Sequence, residues 1–212
     1  TLKTKVVSIA SYSQTELAIS VFGDRFWIFN KLNGELRPMP VNDPELNYQV
    51  KYAGVGINIC NENDGKLLIF GRTLNRYDRS TGLCRRIKID SGTKSIGYFL
   101  SIGNTDKGLW FHDNRKLYFL PTGAEDLTTV SVFSSNETIR CGHIDQKGDI
   151  WLATSDGLHR FDTTNRSFHK IPTSLFNDAV SVVCDKNARV WVGTKYGLFA
   201  YLSKSDTFAM FG

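Results

Sequence analysis

The chain has 212 residues, 41% of them apolar, with 14 Phe, 8 Tyr and a formal net charge of +5. That apolar share supports a folded core, and no run approaches the roughly 18 consecutive apolar residues of a membrane-spanning helix. The positive charge is dispersed, densest at Arg85, Arg86 and Lys88; this reads as a solvated strand face with a weak preference for anionic ligands, not as the basic stripe of a nucleic-acid surface.

The 18 glycines are spread along the chain and aromatics reach 12%, a composition of short pleated strands separated by many turns. Cys60, Cys84, Cys141 and Cys184 form no CxxC pair. They are expected as buried thiols, which pack as small hydrophobes, and not as zinc ligands. Thr1 opens directly into polar, β-type sequence with no leader, so the expectation is a mature or excised segment.

In chain order, the first recognisable unit is LAISVFGDRFWIFNKLNGEL from Leu17, with a strand over residues 26–30. An extended loop is expected over residues 38–52. The second unit, DGKLLIFGRTLNRYDRSTG, carries Leu68 where later units carry Trp. The third, KGLWFHDNRKLYFL, places Trp110 41 residues before Trp151. The fourth and fifth align at an offset of 40 residues: Asp145 with Asp185, Trp151 with Trp191, Thr154 with Thr194, Gly157 with Gly197, and Leu158 with Leu198.

The fifth unit shows the internal plan. Residues 180–184, 190–194, 198–201 and 207–211 read as strands, separated by turns rich in Asp, Asn, Ser and Gly. Gly157 and Gly197 are expected at positive φ in tight turns. A four-stranded unit recurring at this period is a propeller blade. The sequence therefore predicts an all-β protein, a β-propeller of four-stranded antiparallel blades. Five blades are expected at about 1–40, 53–90, 95–135, 138–172 and 178–212, as part of a seven-bladed ring. Strand alternation puts Trp151 with Ala153 on one face, and Trp191 with Gly193 on one face of the next unit. A large ring beside a small residue suits packing between blades better than a ligand platform.

GDIWLATSDGLHRFD (148–162) and ARVWVGTKYGLFAY (188–201) resemble the two-component regulator propeller repeat, Asp-x-x-Gly-x-x-Trp-x-Gly-Thr followed by Gly-Leu-x-x-Phe/Tyr. The earlier units match in outline only; His112-Asp113 replaces the Gly-Thr pair in the third. The resemblance implies the periplasmic, extracytoplasmic sensor region of a hybrid two-component protein whose downstream parts include a histidine kinase. It also implies an oligosaccharide released from a glycan as ligand and neighbouring blades or a second propeller of the same protein as partners; a homodimer is expected as well. A scaffold propeller that docks a protein partner is the alternative, and a propeller glycosidase or lyase fragment a weaker one.

Catalytic and cofactor motifs are not found in the sequence. A sialidase-type Asp box fails because Ile144 and Gln146 stand where Ser and Asp are required. A calcium loop around Asp64-Gly65 would begin at Cys60, which offers no hard oxygen. His112, His143, His159 and His169 lack metal-ligand spacing with a carboxylate. No P-loop, GxSxG or dinucleotide fingerprint is present. The expectations are therefore no catalytic residue, metal, cofactor, nucleic acid or membrane contact for this segment. On a repeat scaffold, ligands are held by loops on one rim. Turns between the second and third strands, together with the inter-blade links, supply Arg72, Asn114, Arg115, Asp156, Tyr196 and Tyr48 as candidate ligand-binding residues.

Overall fold

Short β-branched and aromatic runs that end at Gly, Asn, Asp or Ser pair each with the next, so hairpins generate nearly the whole molecule. The computed structural model describes residues 5–52, 57–62, 66–71, 73–89, 98–133, 136–202, 205 and 207–211. The first sheet is β1 (Val6–Ser11), β2 (Glu16–Val21), β3 (Phe26–Asn30) and β4 (Leu36–Pro38), paired in that order. Helix α1 (Pro44–Tyr52) leads to the second, β5 (Asn58–Asn61), β6 (Leu67–Phe70), β7 (Leu74–Tyr77) and β8 (Cys84–Arg86), again in order. After β9 (Lys88–Ile89) come β10 (Leu100–Thr105), β11 (Gly108–His112), β12 (Lys116–Pro121) and β13 (Asp126–Val132). The fourth sheet is β14 (Ile139–Ile144), β15 (Ile150–Thr154), β16 (Gly157–Asp162) and β17 (Ser167–Ile171). The fifth is β18 (Ser181–Cys184), β19 (Val190–Thr194), β20 (Gly197–Leu202) and β21 (Thr207–Phe211).

These five meanders are the four-stranded antiparallel blades of a β-propeller. The third sheet has one addition: β9 joins the outer side of β13 in parallel, Lys88 opposite Asp126 and Leu127 opposite Ile89. The chain forms two compact units, residues 1–100 with 120–128, and 101–119 with 129–212; the boundary falls within the third sheet.

In the first unit, Ala18, Phe26 and Ile28 pack with Ile59, Leu67 and Ile69 of the following blade. Leu46 of α1 joins them, 2% exposed. The helix corrects the expectation of an extended loop over 38–52. Asp43 caps it, its Oδ1 accepting the Leu46 N–H at 2.9 Å, and Pro44 occupies the first helical position, where no N–H is needed.

In the second unit Trp110 and Trp151 lie between blades, as strand alternation predicted for Trp151, whereas Trp191 is half-buried against Phe211 of its own blade. Trp151, Ala153 and Leu158 pack with Val182, Val192 and Phe199 of the next blade. Leu152, on the opposite face of β15, packs with Trp110, Leu117 and Ile102 of the preceding blade. The four cysteines are half-buried, not fully buried. Each sits on a first or last strand of its sheet (β5, β8, β14 or β18), which a partner strand flanks on one side only. Burial pushes the thiols of Cys84 and Cys184 up to about 12, helped by nearby carboxylates.

A carboxylate organises each of the last two blades. Asp145 Oδ1 accepts the N–H groups of Lys147 (2.8 Å) and Asp149 (3.1 Å), and its Oδ2 accepts the Trp151 indole N–H at 2.9 Å. Asp185 repeats this with Asn187 (2.8 Å), Arg189 (3.0 Å) and Trp191 (3.0 Å). At the next turn the Thr194 hydroxyl donates to Gly197 O (3.1 Å) and accepts the Tyr196 N–H (3.0 Å). Gly157 and Gly197 there have φ of 103° and 137°, the conformation expected of them. In the third blade Asp113 stands in for this threonine, its Oδ1 accepting the N–H groups of Arg115 and Lys116, both at 2.7 Å. Turns into the last strand use the same device: Asn30, Asp78 and Asp162 accept N–H groups two residues on, at 2.8, 2.8 and 2.9 Å.

Asp145→Ala removes three acceptor contacts and leaves the buried Trp151 indole N–H unpaired. Chemical denaturation should show a loss of about 2 to 3 kcal/mol. The turn carboxylates also set acid sensitivity. Bonds from the Trp191 indole and the Arg189 N–H hold Asp185 below the usual carboxylate range; those from Ser80 do so for Asp78, and from Asn165 for Asp162. Their native values lie below their unfolded ones, so this stabilisation is full above about pH 5 and falls away as acid protonates them. Denaturation midpoints should therefore be flat from pH 7 to 5 and decline below pH 4; a stability unchanged down to pH 3 would contradict this assignment.

Candidate ligand sites on the turn-and-link rim

The turns between second and third strands meet the links between blades through backbone hydrogen bonds. In the second unit, Ser155 N–H donates to Thr138 O (3.0 Å) and Ala179 N–H to Thr154 O (2.9 Å). The third-blade turn is held alike: Ile139 N–H reaches Asn114 O at 2.8 Å and Phe133 N–H reaches Arg115 O at 2.7 Å. In the first unit, Met39 N–H donates to Phe26 O at 2.9 Å. The rim inferred from sequence is therefore a hydrogen-bonded edge, with side chains fixed on both partners.

The first unit carries a cavity of about 280 Å³ on this edge. Asp24 and Arg25 line it from the β2–β3 turn, and Asn42 and Asn47 from the link and α1. Phe26, Met39 and Val41 supply apolar lining. Asn47 Nδ2 donates to Val41 O at 2.9 Å, which holds helix and link together. Amides, a guanidinium and a carboxylate around apolar surface can bind a small polar molecule with carbon–hydrogen faces.

The residues singled out from sequence fare unevenly. Arg72 lies outside the described residues, as do residues 63–65 of the supposed calcium loop. Tyr48 is an exposed side chain on α1, one residue beyond the cavity-lining Asn47. Asn114 and Arg115 are exposed turn residues that hold their link through backbone carbonyls. Asp156 pairs with Lys170 at 2.6 Å. Tyr196 stacks beneath Lys195, whose Nζ is 4.9 Å from the ring centre. Among the described residues no hydrogen bond or ion pair joins Asn114, Arg115, Asp156 and Tyr196 to one another.

Sequence reasoning missed the cavity residues and one side-chain cluster. His159 lies 3.0 Å from Glu137 across a turn, and Asp156 is beside both, so a histidine does meet carboxylates here. This corrects the reading of scattered histidines. Burial lowers the His159 pKa, with Glu137 opposing and Lys170 adding to the effect. Nothing in the spacing betrays the cluster, because Glu137 and His159 belong to a link and a strand that only the folded blade aligns.

A second feature is the outer face of the last blade. The face bearing Trp151, Leu158 and Ile171 in the fourth blade is covered by the fifth; Leu158 is 0% and Ile171 8% exposed. The corresponding face of the fifth blade bears Val183, Leu198 and Phe211, which are 48%, 43% and 48% exposed.

No family model matches the chain, and no curated protein matches it. Solved structures do. The extracellular domain of BT4673 from B. thetaiotaomicron, a candidate one-component or hybrid two-component system, aligns with a TM-score of 0.72 at 18% identity over 94% of this chain and 27% of its own. The extracellular domain of BT3049 from the same species, a candidate hybrid two-component system, aligns at 0.70 and 18% over 100% and 29%. A streptogramin B lyase aligns at 0.68 and 13% over 93% and 65%. These likenesses establish the fold. The chain spans little more than a quarter of the length of the two extracellular domains.

Repeat-equivalent leucines give a direct comparison of covered and uncovered faces. Leu158→Ala should cost about 2 to 5 kcal/mol in denaturant unfolding, whereas Leu198→Ala should cost under about 1 kcal/mol.

Proposed function

We propose that this chain is a ligand-sensing propeller segment of an extracytoplasmic sensor region in a hybrid two-component signalling protein, and that its ligand is a glycan-derived oligosaccharide. The observation that carries the reading is the rim cavity formed by Asp24, Arg25, Asn42 and Asn47 over Phe26 and Met39. Planar amides and a guanidinium can each engage neighbouring sugar hydroxyls, while the apolar lining accepts the ring's C–H face. Likeness to extracellular domains of candidate two-component systems supports the sensor role, and so does the repeat resemblance of the last two blades. Among the described residues no helix is long and apolar enough to cross a membrane. The parent protein, in this reading, carries the histidine kinase.

The exposed face of the fifth blade fits the same proposal. Leu198 and Phe211 suit a further blade or neighbouring propeller of the same protein, since their counterparts in the fourth blade, Leu158 and Ile171, are buried by just such a neighbour. A scaffold that docks a separate protein draws on this face too, but it leaves the polar cavity without a role.

Isothermal titration calorimetry of the whole extracytoplasmic protein against acidic and neutral oligosaccharides tests the ligand. One ligand class should bind, and Arg25→Ala, a change at an exposed side chain, should weaken it at least ten-fold, about 1.4 kcal/mol. Absence of heat with every glycan, or an unchanged affinity in the variant, would overturn the assignment.

A further inference from the structure

The fourth blade gathers three metal-ligating side chains that the sugar reading does not use. Glu137 comes from the link into β14, Asp156 from the β15–β16 turn and His159 from β16. Each offers one ligand atom, and the three atoms lie within 4.8 Å of one another. His159 is 8% exposed, and its Nε2 is buried without a hydrogen bond. That atom lies 3.0 Å from Glu137 Oε1, but without the alignment of a hydrogen bond. A buried imidazole nitrogen beside two carboxylates is a ready donor set for a cation.

We propose that Glu137, Asp156 and His159 form a binding site for a divalent transition-metal cation, with Zn²⁺ as the fitting probe. The donor set decides the metal class. One imidazole and two carboxylates suit Zn²⁺ or Mn²⁺ better than Ca²⁺ or Mg²⁺, which prefer oxygen ligands alone. Metal–ligand bonds of about 2.0 to 2.2 Å put tetrahedral ligand atoms about 3.4 Å apart; Glu137 Oε1 is already that close to His159 Nε2, and a small inward movement of Asp156 closes the site. The supporting contacts are in place. The Thr154 hydroxyl lies 3.1 Å from Glu137 Oε1, and the Phe133 ring packs edge-on against His159 at 5.9 Å.

Lys170 acts as the built-in competitor. Its Nζ sits 2.6 Å from Asp156 Oδ2, on a side chain 52% exposed that can swing into solvent. A dication that binds Asp156 displaces it. Asp156 is 54% exposed, so the remaining coordination positions face solvent and accept water or an oxygen ligand.

Calorimetry and thermal unfolding with ZnCl₂, against MgCl₂ and CaCl₂, test the site. One Zn²⁺ per chain should bind and raise Tm. Asp156→Asn, at an exposed position, should retain the metal-free Tm but weaken Zn²⁺ binding ten-fold or more. His159→Gln should weaken it further, and Lys170→Met should tighten it by removing the competing ammonium. No Zn²⁺ binding, or binding of equal strength in Asp156→Asn and Glu137→Gln, overturns the proposal. Neither result bears on the cavity of the first unit, so the metal and sugar readings stand or fall separately.

Discussion

A single carboxylate in the hairpin before Trp151, and another before Trp191, carries much of the last two blades. Asp145 and Asp185 each accept two backbone N–H groups and one indole N–H. The backbone bonds shape the turn; the indole bond fixes the ring's direction. Trp151 can then bury its apolar edge against the next blade while its one polar atom stays satisfied. Turn geometry and inter-blade packing are thus set by the same side chain.

The second blade shows what happens when that tryptophan is lost. The Leu68 side chain has no N–H to offer, and Glu62 stands six residues before it, as Asp145 stands before Trp151. Glu62 instead takes a bidentate pair from Arg76, both contacts at 2.6 Å, and Arg76 also donates to Ala124 O at 2.8 Å. Arg76 lies opposite Leu68 in the β6–β7 register. A buried carboxylate needs a compensating donor, and here a guanidinium replaces the indole. The first blade uses a third variant: Asp24, in the turn before β3, accepts the Trp27 indole N–H at 2.8 Å.

Faces between adjacent blades are consumed by packing, so polar chemistry is left to the rim. There, links and turns come from separate parts of the chain and bring polar groups together without disturbing the core. The cavity by α1 and the cluster at His159 are both built this way, one in each unit. Both pair a turn residue with a link residue: Arg25 with Asn42, and Asp156 with Glu137.

Much of this was legible in the residues. The repeat placed Trp151 between blades, set β19 and β21 to the residue, and assigned Gly157 and Gly197 their positive φ. These features rest on contacts within six residues or on strand alternation, and such contacts are written into local sequence. Helix α1 was missed: Asp43-Pro44-Glu45 carries a capping signal, but the surrounding loop-like composition hid it. The choice among rim residues was not legible. Tyr48, Asn114, Arg115, Asp156 and Tyr196 have suitable chemistry, yet which polar side chains meet depends on how each link crosses its turn. The sequence by itself determined the blades, their turns and their packing residues, because those are local. Only the tertiary structure decided that Asn42 faces Arg25 across a cavity and that Glu137 faces His159, because those contacts join segments that nothing but the stacked sheets holds side by side.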